Sequence, residues 1–150
     1  MFRWLVFVFY FIAAASSLSA QEEANPNLHR MGLRAYGEGR YSQAESLLRS
    51  ALVAAGDNER TKAAIYADLG ILFLEVERTQ DAEQAYTNAL ALYRRQADKR
   101  GIALVLRHLG ALYSLERRHE EAITIGKEAL QTAQSERSLN VLLSPILNSL

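Results

Sequence analysis

Three glycines, each preceded by an apolar residue, put the chain in register with itself: Met31-Gly32, Leu69-Gly70 and Leu109-Gly110. Twelve residues after each stands an alanine (Ala44, Ala82, Ala122), and seven further on an Ala-Leu pair (Ala51-Leu52, Ala89-Leu90, Ala129-Leu130). Alanine fills 23 of 150 positions, so a given glycine meets both alanines by chance only roughly 2% of the time. The period is 38 residues and then 40, and the extra residues fall at the junction between units. A repeat of this length is a supersecondary unit that buries its apolar face only by stacking on its neighbours.

Each unit divides into two helices. Tyr66, Leu69, Gly70, Phe73 and Leu74 follow i, i+3, i+4, i+7, i+8 spacing, the apolar stripe of a helix packed on one side. After a polar break at 75–79 the stripe resumes at Ala82, Ala85, Tyr86, Ala89, Leu90 and Tyr93. The other two units repeat the pattern, and no segment alternates with period two. The expected fold is therefore all-α, with antiparallel hairpins near 26–38/41–55, 60–76/79–97 and 100–115/119–134. Ser42-Gln43-Ala44-Glu45 reads as a capping box opening the second helix of the first unit. Glycine inside a helix costs about 1 kcal/mol relative to alanine, so Gly32, Gly70 and Gly110 are expected where helix backbones approach closely. Tyr36, Tyr41, Phe73, Tyr86, Tyr93 and Tyr113 are assigned to packing.

Charge and cysteine content remove several functions. Lys+Arg and Asp+Glu balance at 17 each, without the basic footprint of a nucleic-acid binder. No Cys is present, which removes disulfides, thiolate metal sites and a cysteine nucleophile. The three His lack metal-ligand spacing, and His119-Glu120-Glu121 reads as a solvated helix start. Gly37-Glu38-Gly39 is an interhelical turn, and Arg94-Arg95…Lys99-Arg100 a solvated helix end interrupted by Asp98. No catalytic, cofactor-binding or metal-binding residues are expected.

The ends differ from the middle. Arg3, the apolar run Trp4–Ala15 and the small polar Ser16–Ala20 follow the order of a secretory signal. The run is too short to cross a bilayer, which takes about 20 residues. Residues 1–20 are thus expected to direct export to the periplasm or outside the cell, with cleavage after Ala15 or Ala20; an uncleaved anchor is the alternative. No membrane association is expected after cleavage. Residues 21–24 form a short polar lead-in. The apolar segment 139–150 matches the first helix of an incomplete fourth unit, with Leu150 at the place of Leu109, or else a closing helix. Such a cap needs a polar outer face, so this segment is expected to be covered by further chain or by self-association.

The motifs Leu69-Gly70-x-x-Phe73…Ala82-x-x-x-Tyr86-x-x-Ala89 and Leu109-Gly110-x-x-Tyr113…Ala122…Ala129 resemble the tetratricopeptide repeat family. The longer period resembles its kinesin-light-chain-like subclass. The resemblance implies a right-handed α-solenoid with repeats at 25–58, 63–99 and 100–138. Ala35 stands where the family carries an aromatic, and the closing proline is absent, which marks the first repeat as terminal. The resemblance further implies a concave groove lined by first helices: His29, Arg30, Leu33 and Tyr36; Asp68, Ile71 and Glu75; Arg107, His108, Ala111 and Ser114. His29, Leu33 and Asp68 replace the Lys and Asn of the carboxylate clamp in the chaperone-tail-binding subclass. The expected partner is a peptide or protein of mixed charge, held by a non-enzymatic scaffold. The alternative is the sensory arm of a larger secreted or membrane-attached effector, such as a peptidase or kinase, continuing beyond residue 150.

Overall fold

The computed structural model describes residues 27–147, with side chains to residue 135. The expected signal segment 1–20, the lead-in 21–24 and residues 148–150 lie outside the described residues. Two compact units divide the chain, Met1–Asn58 and Glu59–Leu150.

In the first unit, helix α1 (27–37) pairs with α2 (Tyr41–Ala54). A Cβ built on Gly32 would lie 2.8 Å from Leu48 Cγ, so the glycine lets the Leu48 side chain reach the α1 backbone. Ala35, Ala44, Leu48 and Ala51 are buried beside it, and the rings of Tyr36 and Tyr41 meet at 5.9 Å.

The second unit holds α3 (Glu59–Glu75), α4 (Thr79–Arg95), α5 (Lys99–Leu115) and α6 (His119–Leu147). α3 packs on α4 and α5 on α6; the two hairpins then join through α4 with α5 and, to a smaller extent, α3 with α5. This is the stacking of consecutive two-helix repeats. Among the described residues every regular element is helical. Ile65, Leu69, Leu72, Phe73, Tyr86, Leu90, Val105, Leu106, Leu109 and Leu112 form the core, with Ala82, Ala85 and Ala89 giving α4 its close approach. No helix among the described residues is long and apolar enough to cross a membrane.

Four of the turns share one chemistry. At the α3–α4 turn, Arg78 N–H donates to Phe73 O (2.8 Å) and Glu77 N–H to Leu74 O (3.0 Å), with Glu77 at φ 59°. The same pair of bonds recurs with Gly39, Ala97 and Arg117 at the left-handed position, the Schellman closure of a helix. A side chain there costs roughly 1–2 kcal/mol, offset by two orphan carbonyls being satisfied.

The structure corrects three expectations. The capping box at Ser42 does not form: α2 begins at Tyr41, with Arg40 at the cap position and no side-chain cap. The Schellman turn delivers the chain at Arg40, whose carbonyl accepts the first helical bond from Ala44 N–H (2.9 Å), so Ser42 is already inside the helix. Side-chain capping occurs instead at α5, where Asp98 accepts from Gly101 N–H (3.0 Å).

Second, Gly110 is not at a close approach, since a Cβ there would meet only Ile125 Cγ2, at 3.8 Å. The residue sixteen after the glycine is Leu48 and Tyr86 in the first two repeats but Gly126 in the third. Nothing large faces Gly110. The tight glycine of this region is Gly101, whose Cβ would fall 2.4 Å from Tyr93 Cδ1.

Third, α6 does not stop near 134 but continues to Leu147. Gln134-Ser135-Glu136-Arg137-Ser138 holds neither Gly nor Pro, and each added residue of a running helix gains a backbone bond. Helix α6 thus runs on through residues 139–147.

Candidate functional site

The first helices of the second unit, α3 and α5, touch each other, so residues turned away from α4 and α6 share one side. Glu75, Arg107, Ala111 and Ser114 are exposed there, with Ile71 half-buried. The Ser114 hydroxyl donates to Gly110 O at 2.8 Å. Asp68 and His108, which hold the same place two residues before their glycines, sit deeper. The His108 ring lies parallel to that of buried Tyr86, with centroids 5.4 Å apart. Asp68 lies near enough to Tyr93 to act with burial and Asp98 in raising the Tyr93 phenol pKa, burial being the largest cause. The remaining expected residues belong to the first unit: Arg30 and Leu33 are exposed, His29 and Tyr36 half-buried, and Arg30 donates to Asn27 Oδ1 at 2.7 Å.

Two exposed leucines join this side that the sequence reading left out. Leu104 (41% exposed) and Leu115 (71%) fall with His108 and Ala111 at i, i+4, i+7, i+11 on α5. That spacing places them on one face and was readable as a second stripe beside the buried one. α5 therefore offers an apolar strip edged by Arg107 and Ser114.

His108 carries a testable consequence. Burial, and secondarily Arg107, holds its imidazole below the ordinary 6.5. A folded state that binds the proton less tightly than the unfolded chain loses stability as pH falls below about 6.5. The melting midpoint is expected to drop between pH 7.5 and 5.5, and His108→Phe, which keeps a ring on Tyr86, to remove part of that drop. Equal drops in both proteins would show that His108 does not couple folding to pH.

A second polar cluster joins the two hairpins of this unit. Arg118, at the α5–α6 turn, donates from Nη1 to Glu83 Oε2 (2.9 Å) and from Nη2 to Glu83 Oε1 (3.2 Å) on α4. Tyr113 Oη donates to Glu83 Oε1 at 2.8 Å, and the guanidinium lies 4.1 Å from the Tyr113 ring centroid. Arg118 also binds Glu121 (2.7 Å) and Glu116 (3.1 Å). Its hydrogen bond lowers the Glu83 pKa, against burial, while burial and Glu83 push Tyr113 up to about 12.

The sequence carried a signal for this cluster: an arginine stands eight residues after each repeat glycine, at Arg40, Arg78 and Arg118. Each binds the polar residue three further on, Gln43, Asp81 or Glu121. Arg78 lies 4.5 Å over the Phe73 ring as Arg118 does over Tyr113. Each such arginine closes one helix and opens the next.

Stacked two-helix units with a glycine-alanine register define an all-α helical-repeat protein. A family model of the tetratricopeptide repeat matches residues 61–135, half of the chain, and the chain belongs to that family. No curated protein matches the sequence. Membership suggests a scaffold for protein–protein interaction.

Proposed function

We propose that the protein is an exported, non-enzymatic scaffold of the longer-period kind that holds a peptide or protein of mixed charge on its first-helix face. The carrying observation is the strip Leu104, Ala111 and Leu115 on α5, exposed and edged by Arg107, with Glu75 exposed on α3. Apolar side chains left in water next to charges of both signs favour a partner that covers the former and pairs with the latter. Export rests on the n-, h- and c-region order of residues 1–20.

One experiment tests both parts. The full chain, tagged at its C-terminus and expressed in a bacterial host, is expected outside the cytoplasm with its N-terminus at Ser16 or Gln21 by mass spectrometry. Retained Met1 would overturn cleavage in favour of an anchor. Partner recovered with that fraction is expected to fall about tenfold or more for Arg107→Glu and Ala111→Arg, and to be unchanged for Arg95→Ala on α4. The reverse ranking would place binding on the second helices.

A further inference from the structure

In the second unit, α4 receives α5 on the side bearing Glu83, Tyr86, Leu90 and Tyr93. Glu83 takes Arg118 and Tyr113, Tyr86 stacks on His108, and Tyr93 lies on Gly101. Forty residues later, α6 carries Ile123, Gly126, Leu130 and Ala133 at the equivalent places. All four are exposed, Ile123 at 57% and Leu130 at 60%. A Cβ on Gly126 would meet nothing within 4 Å. The face on which a next helix packs is therefore apolar and open, and along it two branched residues alternate with two small ones at i, i+3, i+7, i+10.

Two occupants fit poorly. The chain's own residues 136–147 prolong α6, so they do not fold back over 123–133. A repeat of the kind this chain contains would bring its turn arginine, as Arg118 comes to Glu83. The place of Glu83 is taken on α6 by Ile123, and a guanidinium set against isoleucine loses its carboxylate and part of its hydration. Head-to-tail stacking of two copies has the same fault, because the first repeat brings Arg40.

A second α6 fits. With two such helices antiparallel, Ile123 faces Ala133 of the other copy and Leu130 faces Gly126. Each branched side chain then enters the space above a small residue, four times over across one two-fold axis. No charged residue lies in the stripe. We propose that the protein forms an isologous homodimer through antiparallel pairing of α6 over residues 123–133.

This inference is independent of the peptide-binding reading, since its test reads oligomeric state alone. Sedimentation equilibrium of the full chain is expected to show a monomer–dimer equilibrium. Leu130→Glu and Gly126→Leu should each weaken it about tenfold or more. Both positions are exposed within one copy, and leucine is a better helix former than glycine, so Gly126→Leu should melt no lower than wild type at concentrations where the chain is monomeric. The cysteine-free chain allows a geometric check: mixed Gly126→Cys and Leu130→Cys chains should form disulfide dimers severalfold faster than either alone. A monomer at all concentrations, dimers indifferent to both substitutions, or higher oligomers abolished by Arg40→Glu would each overturn the proposal.

Discussion

Gly70→Val is expected to lower the melting midpoint by roughly 10 °C, the consequence of an overpacking cost of about 3 kcal/mol in a chain of this size. A Cβ on Gly70 would lie 2.4 Å from Tyr86 Cε1, 2.6 Å from Cδ1 and 2.8 Å from Cζ. A tyrosine ring is rigid, and Tyr86 has no accessible surface into which to swing. The ring also stacks on His108, so displacing it disturbs α5 as well as the α3–α4 contact. Gly110→Val should behave differently, because its nearest neighbour would be Ile125 Cγ2 at an ordinary 3.8 Å. There the loss is small, and Gly110→Ala should raise stability by up to about 1 kcal/mol through helix propensity. Thermal melts followed by circular dichroism decide the matter. Equal midpoints for the two valine variants would mean that the Tyr86 ring yields and that glycine at 70 is not required by packing.

The contrast between these glycines marks what could be read from the sequence. Repetition reveals which positions are equivalent, and helix spacing reveals which face is buried. Helix boundaries near 41, 59, 79, 99 and 119 follow from those two facts. What a glycine is for depends on the residue that faces it sixteen positions later, and only pairing the two helices shows that Tyr86 becomes Gly126. The capping box failed for a related reason: a local motif at Ser42 competes with a turn closed by backbone bonds from Gly39 and Arg40, and the turn is already complete when the chain reaches the serine. On the candidate face, Asp68 and His108 share a register with exposed neighbours yet sit deeper, because the neighbouring helix in the stack supplies Tyr93 and Tyr86 beside them. Such contacts join residues from different helices, which period alone does not pair.

Removing the Glu83 carboxylate is expected to cost about 1 kcal/mol at neutral pH and to change the pH profile on both flanks. Glu83 accepts three bonds, two from Arg118 and one from Tyr113. The first cause of its lowered pKa is the Arg118 bond, so the folded state holds this proton less tightly than the unfolded chain. Its contribution is present above the ordinary 4.5 and lost as pH falls through the lower folded value. Tyr113 works in the opposite direction. Its pKa rises from 10 to about 12 through burial first and Glu83 second, so its contribution is full below pH 10 and lost as pH climbs toward 12. Glu83→Gln should therefore flatten the acid limb of the melting curve below pH 4.5, while Tyr113→Phe should flatten the alkaline limb above pH 10 and leave the acid limb in place. Arg95→Ala supplies the comparison: Arg95 pairs with Glu59 in an exposed setting, where such pairs contribute little, and its loss should leave both limbs unchanged. A Glu83→Gln protein with the acid limb of the wild type would show that the carboxylate is not held by Arg118 in solution. The joint between the two hairpins would then rest on Tyr86, Tyr93 and their apolar neighbours alone.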